Sequence, residues 1–208
     1  MTPGADDFLL IVDVQNDFCP GGALAVKDGD AVVPVVNALA PRFRHVGLTQ
    51  DWHPRGHQSF ASAHPGRQPF ETITVVYGEQ TLWPDHCVQD TPGAAFHPRL
   101  HVPQAELVIR KGFDPAIDSY SAFYENDHKT PTGLAGYLRE RKLSQLFLAG
   151  VATDYCVAWS ALDARREGFA VTVIEDACRA IDLDGSLTRA VSAMRGAGVA
   201  IVTSATVA

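Results

Sequence analysis

The fold is constrained most by a series of short, continuously apolar segments separated by segments long enough to form helices. The first, Phe8–Val14, is apolar at almost every position, which is typical of a strand buried on both faces. Further strand candidates lie at His45–Gln50, Glu106–Lys111, Gln145–Val151, Phe169–Glu175 and Val199–Thr203. Helix candidates lie at Ala31–Ala40, Thr132–Lys142, Thr153–Glu167 and Gly185–Ala197. This alternation predicts an α/β fold with an open, mainly parallel six-stranded sheet.

Composition indicates one globular domain. The chain has 208 residues, a formal net charge of −7 and 46% hydrophobic residues, which together exclude an intrinsically disordered chain. This length is typical of one domain, so we expect a single domain over residues 1–208. The acidic balance argues against nucleic-acid binding, and no apolar stretch is long enough to span a membrane.

The start of the chain and the cysteines bear on its compartment. The first residues lack the basic and then apolar pattern of a signal peptide. The four cysteines are widely spaced and form no Cys-x-x-Cys pair, which is typical of reduced thiols. We therefore expect a cytoplasmic protein. The pattern leaves open whether the chain forms a homo-oligomer.

One region, about 51–105, lacks strand or helix periodicity and contains 7 of the 13 prolines. A loop region this long in a compact domain is typical of a functional segment. At its start Asp51 and His53 are two residues apart, so in an extended segment both side chains point to the same side. A third ligand would complete an Asp/His/His set suited to zinc, manganese or iron. From spacing alone the third ligand is His57, His64 or His86.

Three chemically reactive residues lie where predicted strands end. Ligands of open parallel sheets bind at the carboxyl ends of the strands, and Asp13, Lys111 and Cys156 each lie at such an end. Thr153 is a good helix N-cap, which would place Cys156 in the first helical turn, where the helix dipole favours a thiolate. We expect Cys156 to be a nucleophile, with Lys111 and Asp13 as partners. The alternative is a packing cysteine, a solvated lysine and a loop-capping carboxylate.

The other cysteines are weaker candidates. Cys19 precedes a Pro-Gly-Gly turn and has no helix start to activate its thiol. Cys178 follows the fifth strand candidate, where a packing role is expected. Cys87 adjoins His86 and is a minor candidate for a metal ligand.

Five blocks of sequence resemble one known family. They are VDVQNDFCPGGAL (Val12–Leu24), TQDWHPRGHQSF (Thr49–Phe60), WPDHCVQDTPGA (Trp83–Ala94), KGFDPAIDSYSAF (Lys111–Phe123) and GVATDYCV (Gly150–Val157). The first and last blocks resemble the isochorismatase-like cysteine hydrolases in general. The second and third resemble the metal-binding nicotinamidases within that superfamily. The resemblance runs from about Phe8 to the last strand and implies an isochorismatase-like hydrolase fold, with helices on both faces of the sheet.

Carried over by position, the resemblance implies four sets of site residues. The catalytic residues are Asp13, Lys111 and Cys156. The metal ligands are Asp51, His53 and His86, with His57 left as an additional group near the metal. The substrate-binding residues are Phe18, Trp83 and Tyr120. A cis peptide between Val151 and Ala152 would direct the backbone amides of Ala152 and Cys156 at the substrate carbonyl oxygen.

The resemblance also implies a reaction. A nicotinamidase hydrolyses nicotinamide, a linear amide, to nicotinate and ammonia through a thioester, in NAD salvage. The family implies one divalent metal ion, with zinc favoured over manganese or iron, and pyrazinamide as a further substrate. Two alternatives stay open: a related cysteine hydrolase of another small amide or N-carbamoyl compound, and a non-enzymatic binding subunit.

Overall fold

The computed structural model describes residues 1–207. The strands are β1 (Asp7–Val12), β2 (His45–Asp51), β3 (Thr72–Val75), β4 (Gly78–Thr81), β5 (Leu107–Lys111), β6 (Gln145–Val151), β7 (Ala170–Arg179) and β8 (Ala200–Val202). The α-helices are α1 (Val32–Leu39), α2 (Leu134–Glu140), α3 (Ala158–Arg166) and α4 (Ser186–Gly196). None of these helices has the length and apolar character needed to cross a bilayer.

Six of the strands form one parallel sheet in the order β5-β2-β1-β6-β7-β8. The chain leaves the central strand β1 toward β2 and leaves its neighbour β6 toward β7, in the opposite direction. The strand order therefore reverses between β1 and β6, and the crevice outside the carboxyl ends of these two strands is where such folds bind ligands.

The central strand shows why the sheet is covered on both faces. Leu9 and Ile11 of β1 pack in one apolar cluster with the buried side chains of α1. The alternate residues Phe8, Leu10 and Val12 pack in a second cluster with α2, α3 and α4. All five side chains are fully buried, and each such side chain stabilises the fold by roughly 1.5–3 kcal/mol. The predicted α/β class, six parallel strands and helices on both faces are confirmed.

Two details of the predicted elements were wrong, the N-cap of one helix and the end of one strand, and both are close to the crevice. The helix expected from Thr153 begins as a π-helical turn, Thr153–Val157, and continues as α3. Ala152 occupies the N-cap position and no side chain caps the turn, so the expected capping by Thr153 does not occur. Strand β7 is longer than expected, so Cys178 lies within the strand rather than after it.

The region 51–105 contains an antiparallel hairpin, β3–β4, that its weak periodicity did not predict. Single backbone bridges hold the rest of the region in place. The His53 amide donates to the Cys87 carbonyl, and the His53 carbonyl accepts from the Gln89 amide. These bridges bring the second half of the region back to the end of β2, where Asp51 lies.

Candidate active site

Parallel pairing gathers the three reactive strand-end residues into one buried cluster. Asp13 follows β1, Lys111 ends β5, and Cys156 lies in the turn after β6. The Lys111 Nζ atom lies 2.9 Å from Asp13 Oδ2 and 3.4 Å from Cys156 Sγ. The side chains of Lys111 and Asp13 have no exposed surface, and Cys156 is also buried. The structure therefore brings these predicted site residues together.

Lys111 is an ammonium ion surrounded by acceptors. Its Nζ donates to Asp51 Oδ1 and to the Ser119 carbonyl, the latter at 3.0 Å, and is paired with Asp13. Burial alone would lower the pKa of Lys111, but the carboxylates of Asp13 and Asp51 outweigh burial and raise this pKa well above its usual value. The site thus has a fixed positive charge next to the sulfur.

The protonation of Cys156 differs from the expectation at the sequence level. Burial raises the pKa of the Cys156 thiol well above its usual value, and the Lys111 ammonium opposes this increase only in part. The carboxylates of Asp13 and Asp51 raise the same pKa further. Desolvation therefore acts against the stabilisation of a thiolate by Lys111 and the turn, and it favours the thiol form. A base must remove the proton when the nucleophile forms.

Asp13 is placed to be that base. Its Oδ1 accepts a 2.6 Å hydrogen bond from the Thr49 hydroxyl, while its Oδ2 accepts no well-directed hydrogen bond from residues 1–207. A carboxylate oxygen of Asp13 and the Cys156 sulfur lie within 4.8 Å of each other. Asp13 also adopts a left-handed backbone conformation, with φ of 49°, which turns it out of the direction of β1.

A second buried cluster is formed by Asp51, His53 and His86. The Nε2 atoms of His53 and of His86 each lie 3.8 Å from Asp51 Oδ2. This separation is too long for a hydrogen bond but suits two ligands around one ion, because ligand distances of about 2.1 Å allow at most about 4.2 Å between two ligand atoms. All three side chains are buried.

Backbone carbonyls orient both imidazoles toward the same point. His53 Nδ1 donates to the Gly112 carbonyl, and His86 Nδ1 donates to the Pro84 carbonyl, both at 2.8 Å. A carbonyl accepts only, so Nδ1 has the proton and the Nε2 lone pair is free to ligate. Burial also lowers the pKa of both imidazoles, which keeps them neutral. Two neutral imidazoles facing a desolvated carboxylate fit a divalent cation.

The structure distinguishes among the histidines that spacing left open. His57 accepts a 2.8 Å hydrogen bond from the Ser59 hydroxyl at Nδ1 and donates from Nε2 to the Asp114 carbonyl. His57, His53 and Asp118 also lie within metal-binding range of one another, but both nitrogens of His57 are occupied by protein. His57 instead packs on the His53 ring, with centroids 4.4 Å apart. The geometry favours His86 as the third ligand.

The two clusters face a small cavity of about 20 Å³. The predicted substrate-binding residues Phe18, Trp83 and Tyr120 line it, as do Cys156 and Ala152. Trp83 Nε1 donates a 3.0 Å hydrogen bond to the Tyr120 hydroxyl. A cis peptide joins Val151 and Ala152 at the cavity wall, as the resemblance implied. A larger open groove of about 1000 Å³, beside α1, includes none of the predicted site residues.

Several residues of this cavity were not singled out from the sequence. Asp118 is buried with its Oδ1 4.0 Å from His53 Nε2, and Gln80 in β4 donates to its Oδ2 at 2.7 Å. A carboxylate seven residues after Lys111, between an isoleucine and a serine, was the available signal. Tyr155 and Ile181 line the cavity as well, and neither carries a polar pattern that would mark it.

Gly112 was also overlooked. It has a φ of 65°, and a Cβ at this position would lie 2.4 Å from His53 Cε1. Only glycine therefore allows the backbone after Lys111 to approach the His53 ring. The signal for Gly112 was its place directly after the strand-end lysine.

Comparison with known proteins gives consistent results. The isochorismatase domain family matches residues 7–206. A nicotinamidase of Acinetobacter baylyi is 54% identical over 196 residues, which cover 94% of this chain and 92% of that protein. The solved structure of an Acinetobacter baumannii nicotinamidase and pyrazinamidase superposes with a TM-score of 0.97 at 56% identity, covering 98% of each chain.

Two further solved structures are similar and contain ligands. An L. infantum protein in complex with nicotinate has a TM-score of 0.88 at 40% identity, covering 100% of this chain and 98% of that chain. A pyrazinamidase of Pyrococcus horikoshii in complex with zinc has a TM-score of 0.78 at 36% identity, covering 95% of this chain and 99% of that chain.

Proposed function

The chain belongs to the isochorismatase family, and we propose that it is a nicotinamidase, which converts nicotinamide and water to nicotinate and ammonia. One observation carries the proposal: the Lys111 ammonium lies within bonding distance of Asp13 and Cys156, directly beside an Asp51/His53/His86 set. The nicotinamidases named above, at 54–56% identity over almost the whole chain, support the same reaction.

Cys156 is the proposed nucleophile. Its Sγ attacks the carboxamide carbon while the thiol proton passes to Asp13, which has a carboxylate oxygen within 4.8 Å of the sulfur. Asp13 then gives this proton to the departing nitrogen, so the carbon–nitrogen bond breaks, ammonia leaves and a thioester remains. Asp13 next accepts a proton from water as water attacks the thioester. The carbon–sulfur bond then breaks, Asp13 returns its proton to the sulfur, and the product leaves as nicotinic acid, which loses its proton to solvent to give nicotinate.

Lys111 stabilises the charges that develop in both half-reactions. Its Nζ lies 3.4 Å from Sγ, so the ammonium stabilises the thiolate as the proton leaves. Its ion pair with Asp13 Oδ2, at 2.9 Å, also holds that carboxylate beside the sulfur. We assign the oxyanion to the backbone amides of Ala152 and Cys156, both of which line the cavity.

Asp51, His53 and His86 are the proposed ligands of one divalent metal ion. Zinc is the first choice, supported by the zinc complex of the Pyrococcus horikoshii pyrazinamidase, and manganese or iron are the alternatives. A metal ion held by these three residues would supply a Lewis acid able to coordinate the ring nitrogen of the substrate. The ring itself would pack against Phe18, Trp83 and Tyr120, which select a flat aromatic amide.

The wider assignment follows from the same family. We place the enzyme in the cytoplasm and in NAD salvage, with pyrazinamide as a further substrate, a compound named in the activity of the Acinetobacter baumannii protein. We treat residues 1–208 as one cysteine-hydrolase domain whose region 51–105 binds metal and substrate. A hydrolase of N-carbamoyl compounds would share the Asp13, Lys111 and Cys156 cluster, but it would give the neighbouring Asp/His/His set no role.

An ammonia assay tests this function directly. The purified protein is incubated with nicotinamide, with pyrazinamide and with an N-carbamoyl amino acid, before and after removal of metal by a chelator. We expect ammonia from both ring amides, loss of this activity on chelation and recovery on addition of zinc. Release of ammonia from the N-carbamoyl compound alone, or full activity in a metal-free protein, would contradict the proposal.

A further inference from the structure

The cavity beside Cys156 is too small for the substrate in the conformation of this structure. Its volume of about 20 Å³ is close to that needed for one water molecule. An aromatic amide is several times larger, so part of the cavity wall must shift outward when the ring enters. The wall residues that stay in place therefore limit which rings fit.

Most of the wall is held firmly. Trp83 and Tyr120 are joined by a hydrogen bond, and Tyr120 also accepts a 3.2 Å hydrogen bond from Gln80. The remaining apolar side chains of the rim come from separate segments, and they include Leu24 and Ile181. Leu24 is buried, whereas Ile181 is partly exposed. Among the aliphatic side chains of the wall, Ile181 is thus the one that reaches solvent, and we call the side on which it lies the mouth of the cavity.

A single carboxylate ties the segment of Ile181 to the turn that presents the nucleophile. Asp154 is buried two residues before Cys156, and its Oδ1 accepts a 3.0 Å hydrogen bond from the Ile181 amide. Its Oδ2 accepts from the Asp182 amide at 2.8 Å and from the Ser186 hydroxyl at the start of α4. Because Asp154 belongs to the turn Thr153–Val157, these hydrogen bonds join the backbone at Ile181 to the turn that contains Cys156.

We propose that Ile181, held over the cavity mouth by Asp154, determines specificity by limiting how large a substituted ring amide can reach Cys156. The proposal rests on the nicotinamidase function proposed above and names a determinant of its substrate range. Unsubstituted rings fit when the wall shifts slightly. A ring substituent directed at the mouth would contact the Ile181 side chain, and the Asp154 hydrogen bonds restrain the backbone that carries this side chain.

The test measures kcat/KM for nicotinamide and for the four nicotinamides that have a methyl group on a ring carbon. For each methylated compound we divide its kcat/KM by the kcat/KM for nicotinamide. In Ile181→Ala we expect this ratio to rise at least about tenfold for one or more methyl positions, because one methylene in an apolar pocket changes discrimination by about that factor or more. Ile181→Val should give a smaller rise in the same direction, and Ile181→Phe should lower the ratio.

Two further variants separate specificity from general loosening. Leu183→Ala removes a half-buried side chain from the same segment but outside the cavity, so its ratio should stay at the wild-type value. Asp154→Asn retains an acceptor for the Ile181 amide but replaces the acceptor for Asp182 and Ser186. It should raise the ratio by less than Ile181→Ala.

The outcomes distinguish this inference from the function on which it rests. A wild-type protein that releases no ammonia from nicotinamide would contradict the function. A wild-type protein that hydrolyses nicotinamide, combined with folded Ile181 variants whose ratios all equal the wild-type ratio, would overturn only the role of Ile181. An equal rise in the ratio for Leu183→Ala would overturn it too, because looseness of the segment would then explain the effect.

Discussion

The two buried clusters of the site are built in different ways. Asp13, Lys111 and Cys156 lie at the ends of strands, and the charges of their neighbours shift the pKa values of Lys111 and Cys156. His53 and His86 are neutral, and their positions depend on backbone carbonyls from other segments. Charge dominates the first cluster, whereas orientation dominates the second.

Asp51 joins the two clusters. Its Oδ1 accepts from Lys111, while its Oδ2 faces the Nε2 atoms of His53 and His86. The comparison therefore predicts separable effects: a change in the charge cluster should stop turnover and leave metal binding intact. A change in the orientation cluster should remove metal first and reduce turnover as a consequence.

The largest effect is expected for Cys156→Ala. Removing the nucleophile should reduce kcat for nicotinamide by at least about 10⁴-fold, as expected when a covalent catalyst loses its reactive atom. The metal content should not change. Ammonia release measures kcat, and elemental analysis measures the metal content. Cys178→Ala is the matched control, because Cys178 is buried in β7 outside the cluster and its loss should leave kcat near the wild-type value. Substantial turnover by Cys156→Ala would exclude this residue as nucleophile.

His53→Ala should have the next largest effect, and here loss of metal should cause the loss of turnover. The variant should purify with much less metal, and kcat/KM for nicotinamide should fall by at least about 10²-fold, because the ring loses a positioning group. The Cys156 thiol should still react with a thiol reagent at the wild-type rate. Unchanged metal content would contradict the ligand assignment, whatever the activity.

Gly112→Ala tests orientation without removing a ligand. The added Cβ would lie 2.4 Å from His53 Cε1, so the imidazole must turn. Its Nε2 would then no longer face Asp51 Oδ2 together with His86 Nε2. We expect metal affinity to fall by about 10–100-fold, the range for loss of a group that orients a ligand. Gly136→Ala in α2 is the control, since a Cβ there meets no other atom within 4 Å and should slightly stabilise the helix. Equal metal affinity in the two variants would contradict the role of Gly112.

The smallest effect concerns Cys178, which shares its residue type with the nucleophile but not the cluster. Burial raises the pKa of Cys178 to about 12, so the folded state keeps the proton while the unfolded chain loses it above pH 9.0. The unfolded state then binds fewer protons, and stability falls as pH rises between these values, by about 2 kcal/mol at about pH 10.5. Urea unfolding of wild type and of Cys178→Ala at several alkaline pH values should show a steeper decline for wild type. Parallel declines would contradict this account.

Much of the site could be predicted because it depends on local pattern. Asp13 and Lys111 adjoin apolar runs that must be strands, and parallel strands gather their carboxyl ends at one edge of the sheet. Asp51 and His53 share a side because extended backbone alternates its side chains. The assignment of His86 came from the family resemblance, since spacing left three histidines open.

The parts that could not be predicted depend on contacts between distant segments. The hairpin β3–β4 has short strands with little apolar alternation, so its pattern was too weak. Asp118 is held by a hydrogen bond from Gln80 of that hairpin, which is 38 residues away in the chain. Ile181 was not predicted because its position depends on Asp154, 27 residues earlier.

By itself, the amino-acid sequence determined the α/β architecture and which reactive side chains end the strands, because apolar periodicity and strand direction are local properties. Only the tertiary structure decided that burial raises the pKa of the Cys156 thiol and that His57 is occupied while His86 is free to ligate. Desolvation and the direction of a ring nitrogen are set by whatever segments pack around a residue, and those neighbours are known only once the chain has folded.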